Sequence, residues 1–319
     1  MSFTDMIKKY ILNECKMDAV GIAPASALDD EPVGQRPEDI LPGAKSIIVF
    51  TKKIPVGVIQ SAFRSMEDGI LDAFSSFAAY GSELTPNMSL FFMQFNISEY
   101  IERTFGYTTV PIPSGPMHNV TSSNQPLPAF VGSKRISMVL NPERAALAAG
   151  LGEIGWNNML LTPENGPRQR IGLVLSTMEL ECDTPYSGPK LCSPSDCGIC
   201  SRVCPVNAIS TYGEEKDEMC VPGIKCEIAR INTNACAVVS MAFRQEFSGK
   251  AKVPDLIMHN NPSDEELADA YAKKPLCHYS LDHYPKYYCN KCMLYCPVGG
   301  WKDKFADTGL SRFDEKELV

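Results

Sequence analysis

The chain has 319 residues, a formal net charge of −8, 44% hydrophobic and 21% charged residues, and thirteen cysteines. That is room for two domains of ordinary soluble composition, and the acidic balance argues against general affinity for a nucleic-acid backbone. No apolar run of 18 residues is present and Met1-Ser-Phe-Thr-Asp carries no basic stretch, so neither a membrane span nor a secretory signal is expected, and the thiols read as metal ligands rather than disulfides.

Phe3, Met6, Ile7, Tyr10 and Ile11 recur at helical spacing and Cys15 continues the stripe, which makes Cys15 a core residue. Ala19–Ala23 and Ser46–Phe50 are apolar and β-branched between turn signals, the pattern of short buried strands. A helical region runs from about Ile59 to Gly106, broken near Pro86, with Leu90, Phe91, Met93, Ile97, Tyr100 and Ile101 as a core stripe. A strand is expected within Tyr107–Pro113. Asn141-Pro142-Glu143-Arg144 opens a helix, since proline and an acid suit the first turn. Gly150 and Gly152 end it, and Arg170–Thr177 is the next strand. Strands mixed with helices up to residue 180 give an α/β or α+β layering.

Composition changes near Glu181. Twelve of the thirteen cysteines follow it, among many Pro, Gly and Ser residues. One helix is plain, starting at the capping-box pair Ser263 and Glu266 and ending near Lys274. The division expected is a cofactor- and substrate-binding domain over 1–180 and a cysteine-bearing domain over 181–319.

Two runs repeat: Cys192-x4-Cys197-x2-Cys200-x3-Cys204-Pro205 and Cys289-x2-Cys292-x3-Cys296-Pro297. C-x2-C-x3-C-P is the ferredoxin-type signature, in which one loop gives three thiolates to a cubane and the last cysteine reaches the other cluster. Val206–Ile209 after the first run matches the short helix usual at that place. Zinc knuckles also use C-x2-C, but they leave a third Cys-Pro at both sites unexplained. Two [4Fe–4S] clusters need eight thiolates and the runs supply seven. The eighth comes from Cys182, Cys220, Cys226, Cys236 or Cys277, with Cys236 favoured and Cys277 its main rival. Crossed ligation then groups Cys192, Cys197, Cys200 and Cys296 on one cluster, and Cys204, Cys236, Cys289 and Cys292 on the other. Cys182 reads as an inert thiol, and Cys220 and Cys226 lie in an apparent insertion.

Ala149-Gly-Leu-Gly-Glu-Ile-Gly-Trp156 imitates a dinucleotide fingerprint, but a helix precedes it where a strand belongs. Its glycines would let a large flat body approach the backbone. Glu143–Trp156, Leu161–Arg168 and Ile171–Thr177, followed by the two ferredoxin-type runs, resemble the cobalamin-dependent reductive dehalogenases and the related epoxyqueuosine reductases. Asp18–Ala23 and Leu41–Val49 are similar to the latter family as well.

The resemblance implies an α+β fold, with a nitroreductase-like α/β domain followed by a ferredoxin-like two-cluster domain. It implies two [4Fe–4S] clusters passing electrons to a base-off cobalamin that reduces a small organic molecule. Cofactor contacts would fall on Gly150, Gly152, Glu153, Gly155, Trp156, Asn157 and Arg168; FMN in the same pocket is the lesser option. No D-x-H-x-x-G sequence for histidine-on cobalamin is present. The V-D-S-A-P stretch that carries the proton-donating Asp of epoxyqueuosine reductases is replaced here by Arg135–Pro142, which holds no Asp. Tyr107, His118 and Arg168 are the candidate proton donors in its place. The chain is short for an exported dehalogenase and shows no twin-arginine leader, so a cytoplasmic reductase is expected. Reduced ferredoxin or flavodoxin is the expected electron donor, with no membrane or nucleic-acid partner. The alternative is a two-cluster electron-transfer protein whose N-terminal domain docks a partner enzyme or binds a flavin.

Overall fold

The computed structural model describes residues 1–68, 77, 80–81, 89–113, 130–131, 134–135, 140–247, 254–273 and 289–300. His118 and Cys277 lie outside them. The fold is α+β.

Helix α1 (Phe3–Lys9) opens on a capping box between Ser2 and Asp5 and runs into a π-helical turn at Tyr10–Glu14. Strands β1 (Ala19–Pro24) and β2 (Ser46–Lys53) follow, then helices α2 (Val56–Asp68) and α3 (Leu90–Phe105) and strand β3 (Thr109–Ile112). Asn141 caps helix α4 (Pro142–Ala148), accepting from the Arg144 N–H at 3.0 Å. Strand β4 (Gln169–Ser176) completes a four-stranded sheet of order β1-β2-β4-β3, antiparallel at every pairing.

The two central strands are apolar on both faces, which dictates a layer on each side. Ile48, Phe50 and Val174 meet α1 and α3 through Ile7, Ile11, Leu90, Ile97 and Ile101, and Cys15 is buried among them as its stripe requires. Phe91 departs from the expected stripe and is exposed. Ile47, Val49, Leu173 and Leu175 face the other way, onto Ala145, Ala146 and Leu147 of α4.

Beyond residue 180 the elements shorten. Helix α5 (Ile199–Arg202) and helix α8 (Lys291–Leu294) are four residues each, and each follows a residue in the left-handed region: Gly198 at φ 61° and Asn290 at φ 41°. That turn explains the C-x2-C spacing, because the first cysteine ends a loop while the second sits one residue into the helix. Between them come the hairpin β5 (Lys216–Val221) and β6 (Ile224–Ala229), helix α6 (Thr233–Ser240) capped by Asn232, and helix α7 (Asp264–Lys273) with the Ser263–Glu266 capping box in place. Val206–Ile209 is a turn and not the short helix expected, with Asn207 at φ 50° and Ile209 bridged to Ile231.

The later elements close onto the earlier ones. Val221 and Ile228 of the hairpin join the core beneath α4. Ile199, Val203, Met293, Leu294 and Tyr295 form one cluster with Ile59, Ala62 and Phe63 of α2. Among the described residues no helix is long and apolar enough to cross a membrane.

Candidate iron–sulfur centre

Four thiols line one cavity. Cys192, Cys197, Cys200 and Cys296 share its wall with Gly155, Trp156, Asn157, Leu161, Pro297 and Val298. Its volume is ≈ 60 Å³, where a single water needs roughly 10–15 Å³, so it takes a body several waters in size. Burial, and then the neighbouring Cys192, Cys296 and Cys197 thiols, push the Cys200 pKa up to about 12. Cys296 is pushed up to about 11 by burial, with Arg168 pulling the other way.

A second set of four gathers under α6. Burial raises Cys289 to about 12 and Cys292 well above the ordinary thiol value; the neighbouring thiols that add to it are Cys236 and Cys204, and for Cys292 also Cys289 and Cys200. Cys236 lies in the first turn of α6, whose Ala235 and Val239 pack with Val206 and Ala208 against Cys204 and Cys289. The twelve described cysteines are all free of disulfides. Among the described residues no three His, Cys, Asp or Glu side chains stand close enough to hold a single ion. Tetrahedral zinc would draw four sulfurs within about 2.3 Å of one point. A cubane spreads its thiolates over the corners of a larger body, and both quartets fit that donor set.

The first quartet takes three cysteines from the first run and Cys296 from the second; the second takes Cys289 and Cys292 from the second run, Cys204 from the first and Cys236 from outside both. The geometry behind this is a bracket built by the glycine-rich segment and the start of β4. The Trp156 N–H donates to Cys192 Sγ at 3.4 Å and its indole Nε1 to the Ser210 carbonyl at 2.8 Å. Asn157 Nδ2 donates to the Cys292 carbonyl at 3.1 Å, and Glu153 Oε2 accepts the Leu191 N–H at 2.8 Å. Arg168, 6% exposed, donates to the carbonyls of Met293 (3.2 Å), Cys296 (2.8 Å) and Val298. The Ala208 N–H donates to Cys204 Sγ at 3.1 Å.

Of the seven residues expected to touch an organic cofactor, Gly155, Trp156 and Asn157 line the thiol cavity, while Glu153 and Arg168 are bonded to the ligand loops and Gly150 and Gly152 abut neighbouring backbone. The glycines are small because backbone presses on them. A Cβ on Gly150 (φ 70°) would lie 2.1 Å from the Thr184 carbonyl oxygen, and one on Gly152 2.0 Å from that of Leu161. Tyr107 is 41% exposed and precedes β3 at the Ser176 end of the sheet, where the Thr177 N–H meets the Thr108 carbonyl. Arg168 precedes the opposite end of β4. By register Tyr107 falls opposite residue 178, so at about 3.3 Å per residue the two are roughly 33 Å apart along the strand direction, and Tyr107 is not brought to the thiols.

One charged pair escaped the sequence reading. Arg170, pushed down to about 10 by burial, is countered by Glu143 and feels the Cys292 thiol; burial in turn raises the Glu143 carboxyl. The signal was available: an arginine inside an apolar strand needs a partner.

No family model matches the chain. It is 40% identical over 86 residues to a tetrachloroethene reductive dehalogenase of Dehalobacter restrictus, which is 26% of this chain and 15% of that protein, and 39% identical over 84 residues to another of Desulfitobacterium hafniense, 26% and 14% respectively. The match thus spans about a seventh of the length of these relatives. Among solved structures, an epoxyqueuosine reductase from Bacillus subtilis is similar over 93% of this chain and 66% of its own, at 16% identity and a TM-score of 0.48. A catabolic reductive dehalogenase is similar over 81% and 32%, at 21% identity and a TM-score of 0.47. An epoxyqueuosine reductase solved with a tRNA stem loop is similar over 88% and 70%, at 14% identity and a TM-score of 0.45.

Proposed function

We propose that this chain is an iron–sulfur reductase of the reductive dehalogenase and epoxyqueuosine reductase superfamily, carrying electrons through two [4Fe–4S] clusters to a base-off cobalamin that reduces a small organic substrate. The observation that supports it most is the sorting of eight cysteines into two quartets, each mixing both C-x2-C-x3-C-P runs. Cys192, Cys197, Cys200 and Cys296 would hold the first cluster, and Cys204, Cys236, Cys289 and Cys292 the second. When bound, the cubanes supply one-electron transfer and the corrinoid supplies reducing power at cobalt.

The chain's own contribution is to bind, shield and tune. N–H groups of Trp156 and Ala208 donate to the sulfurs of Cys192 and Cys204, which stabilises thiolates and shifts the potential of what they hold. Leu161, Ile199 and Val298 close the first cavity with apolar surface. Gly150 and Gly152 abut the Thr184 and Leu161 carbonyls, so a corrinoid would meet the loop from the side of Gly155, Trp156 and Asn157 and rest otherwise on residues 1–180. Tyr107 and His118 remain the proposed proton donors, with Arg168 acting on the cysteine loop instead. The partners proposed are a small-molecule substrate and a reduced ferredoxin or flavodoxin in the cytoplasm, with 1–180 as the substrate half and 181–319 as the cluster half.

Anaerobic reconstitution followed by metal analysis tests this. About eight irons and one cobalt per chain are expected, and Cys200→Ser and Cys204→Ser should each fall to about four irons. Iron without cobalt after incubation with cobalamin would overturn the corrinoid and leave a two-cluster electron-transfer protein; a yellow supernatant after acid precipitation would reveal FMN. Turnover is to be compared on an aryl halide, an epoxide and an epoxyqueuosine-bearing tRNA stem loop, and activity on the stem loop alone would overturn the small-molecule reading.

A further inference from the structure

Arg168 is buried, and its guanidinium is satisfied by three carbonyls, those of Met293, Cys296 and Val298. Carbonyls accept the N–H bonds but leave the positive charge uncancelled. Among the described residues no carboxylate forms an ion pair with it, and the anionic group that it feels is the Cys296 thiolate. Burial lowers its pKa to about 10, so it is a cation at neutral pH. The second quartet has cations of its own, since Arg170 acts on Cys292 and Lys291 on Cys289. What sets Arg168 apart is that it is buried and bonded directly into the ligand loop, to the carbonyl of Cys296 itself.

A bare buried cation is costly unless something nearby repays the lost hydration. If the role of Arg168 were to pin a loop, an uncharged donor would serve at less cost. Four thiolates on a cubane leave an anion of net charge, and each one-electron reduction adds another negative charge to it. Net charge near the sulfurs is one of the levers that sets a cluster's potential, and burial keeps water and salt from screening it.

We propose that Arg168 is the charge-compensating residue of the first cluster: it fixes the Cys296 loop to the sheet and raises the reduction potential of the Cys192/Cys197/Cys200/Cys296 cluster. The inference rests on the two-cluster reading above. An electron on the first cluster is then held more tightly than it would be without that charge. Arg202, which is exposed and donates to the Cys197 carbonyl at 2.8 Å, lies near the same cluster but is screened by solvent, so it serves as a control.

The test uses the full chain, reconstituted anaerobically, with iron counted and both midpoint potentials read by dithionite titration followed by electron paramagnetic resonance. In Arg168→Gln one cluster falls by at least about 59 mV, a tenfold change in its reduced-to-oxidised ratio, while the other stays. Arg168→Lys keeps the charge and should hold that potential with eight irons, and Arg202→Gln should move neither cluster. If Arg168→Gln loses iron while Arg168→Lys retains it, the need for charge at this place is confirmed; iron lost from both variants overturns it in favour of the guanidinium fork alone. Eight irons in Arg168→Gln with both potentials unmoved, or both moved equally, also overturns it. Fewer than eight irons in the parent chain would defeat the cluster reading itself, which no potential of a variant could do.

Discussion

The sheet half and the cysteine half of this molecule are held together by different means. In the sheet, β2 and β4 are buried on both faces and each neighbour brings an apolar layer of its own. In the cysteine half the helices beside the ligand loops are four residues long, and isolated helices that short do not persist in water. The thiols there are buried against one another, and burial raises them toward the protonated form. A bound cluster reverses this, because its iron takes the thiolate and its binding energy becomes folding energy. The contrast teaches that one half is specified by its core and the other by what its ligands hold.

The largest way to break that comparison is to withhold iron. Hydrogen exchange on apo-chain should show residues 192–204 and 289–296 unprotected while the amides of β2 and β4 stay protected; equal protection in both halves would erase the distinction. Next comes Phe50→Ala. Phe50 is fully buried beside the Gly172 backbone, and truncating it should cost about 3–5 kcal/mol in urea denaturation of the sheet, with iron content per folded chain unchanged. Trp156→Phe removes the indole donor to Ser210 and should cost about 1 kcal/mol, read as faster iron release. At the small end, Cys226→Ser should leave the iron count where it was, since Cys226 touches the Ile154 N–H and not the quartets. Iron lost from that variant would redraw the ligand sets.

What the sequence disclosed follows the same line. Ser46–Lys53 and Gln169–Ser176 were legible because a strand apolar on both faces admits little else, and Asn141-Pro142 and Ser263–Glu266 announced their helices through capping chemistry. The quartets were legible because ligand spacing is set by local chain geometry, here the left-handed turns at Gly198 and Asn290. The hairpin was not. Lys216-Asp-Glu-Met-Cys-Val alternates charge with modest apolar residues, and its fit beneath α4 depends on Val221 and Ile228 meeting residues some 75 positions earlier. The glycine-rich loop was only partly legible for a related reason: a glycine that admits a cofactor and one that admits a neighbouring carbonyl, as Gly150 and Gly152 do, look identical in a sequence. Arg168 drew attention as a candidate proton donor and cofactor contact, but only its three carbonyl partners say what it attends to.

The crossing of the cysteine runs also sets a timetable. With the proposed ligands, the first cluster needs Cys296 and the second needs Cys289 and Cys292, so a nascent chain that has emerged as far as α7 can complete neither. The sheet and α4 contain no cluster ligand and could fold while synthesis continues. Whatever delivers iron and sulfide must therefore find a chain whose first half is already folded and whose thiols are still open, and the closing step spans a loop of almost a hundred residues, between Cys200 and Cys296. A stall during translation before that point would leave a folded sheet trailing unmetallated thiols, the form most exposed to oxidation.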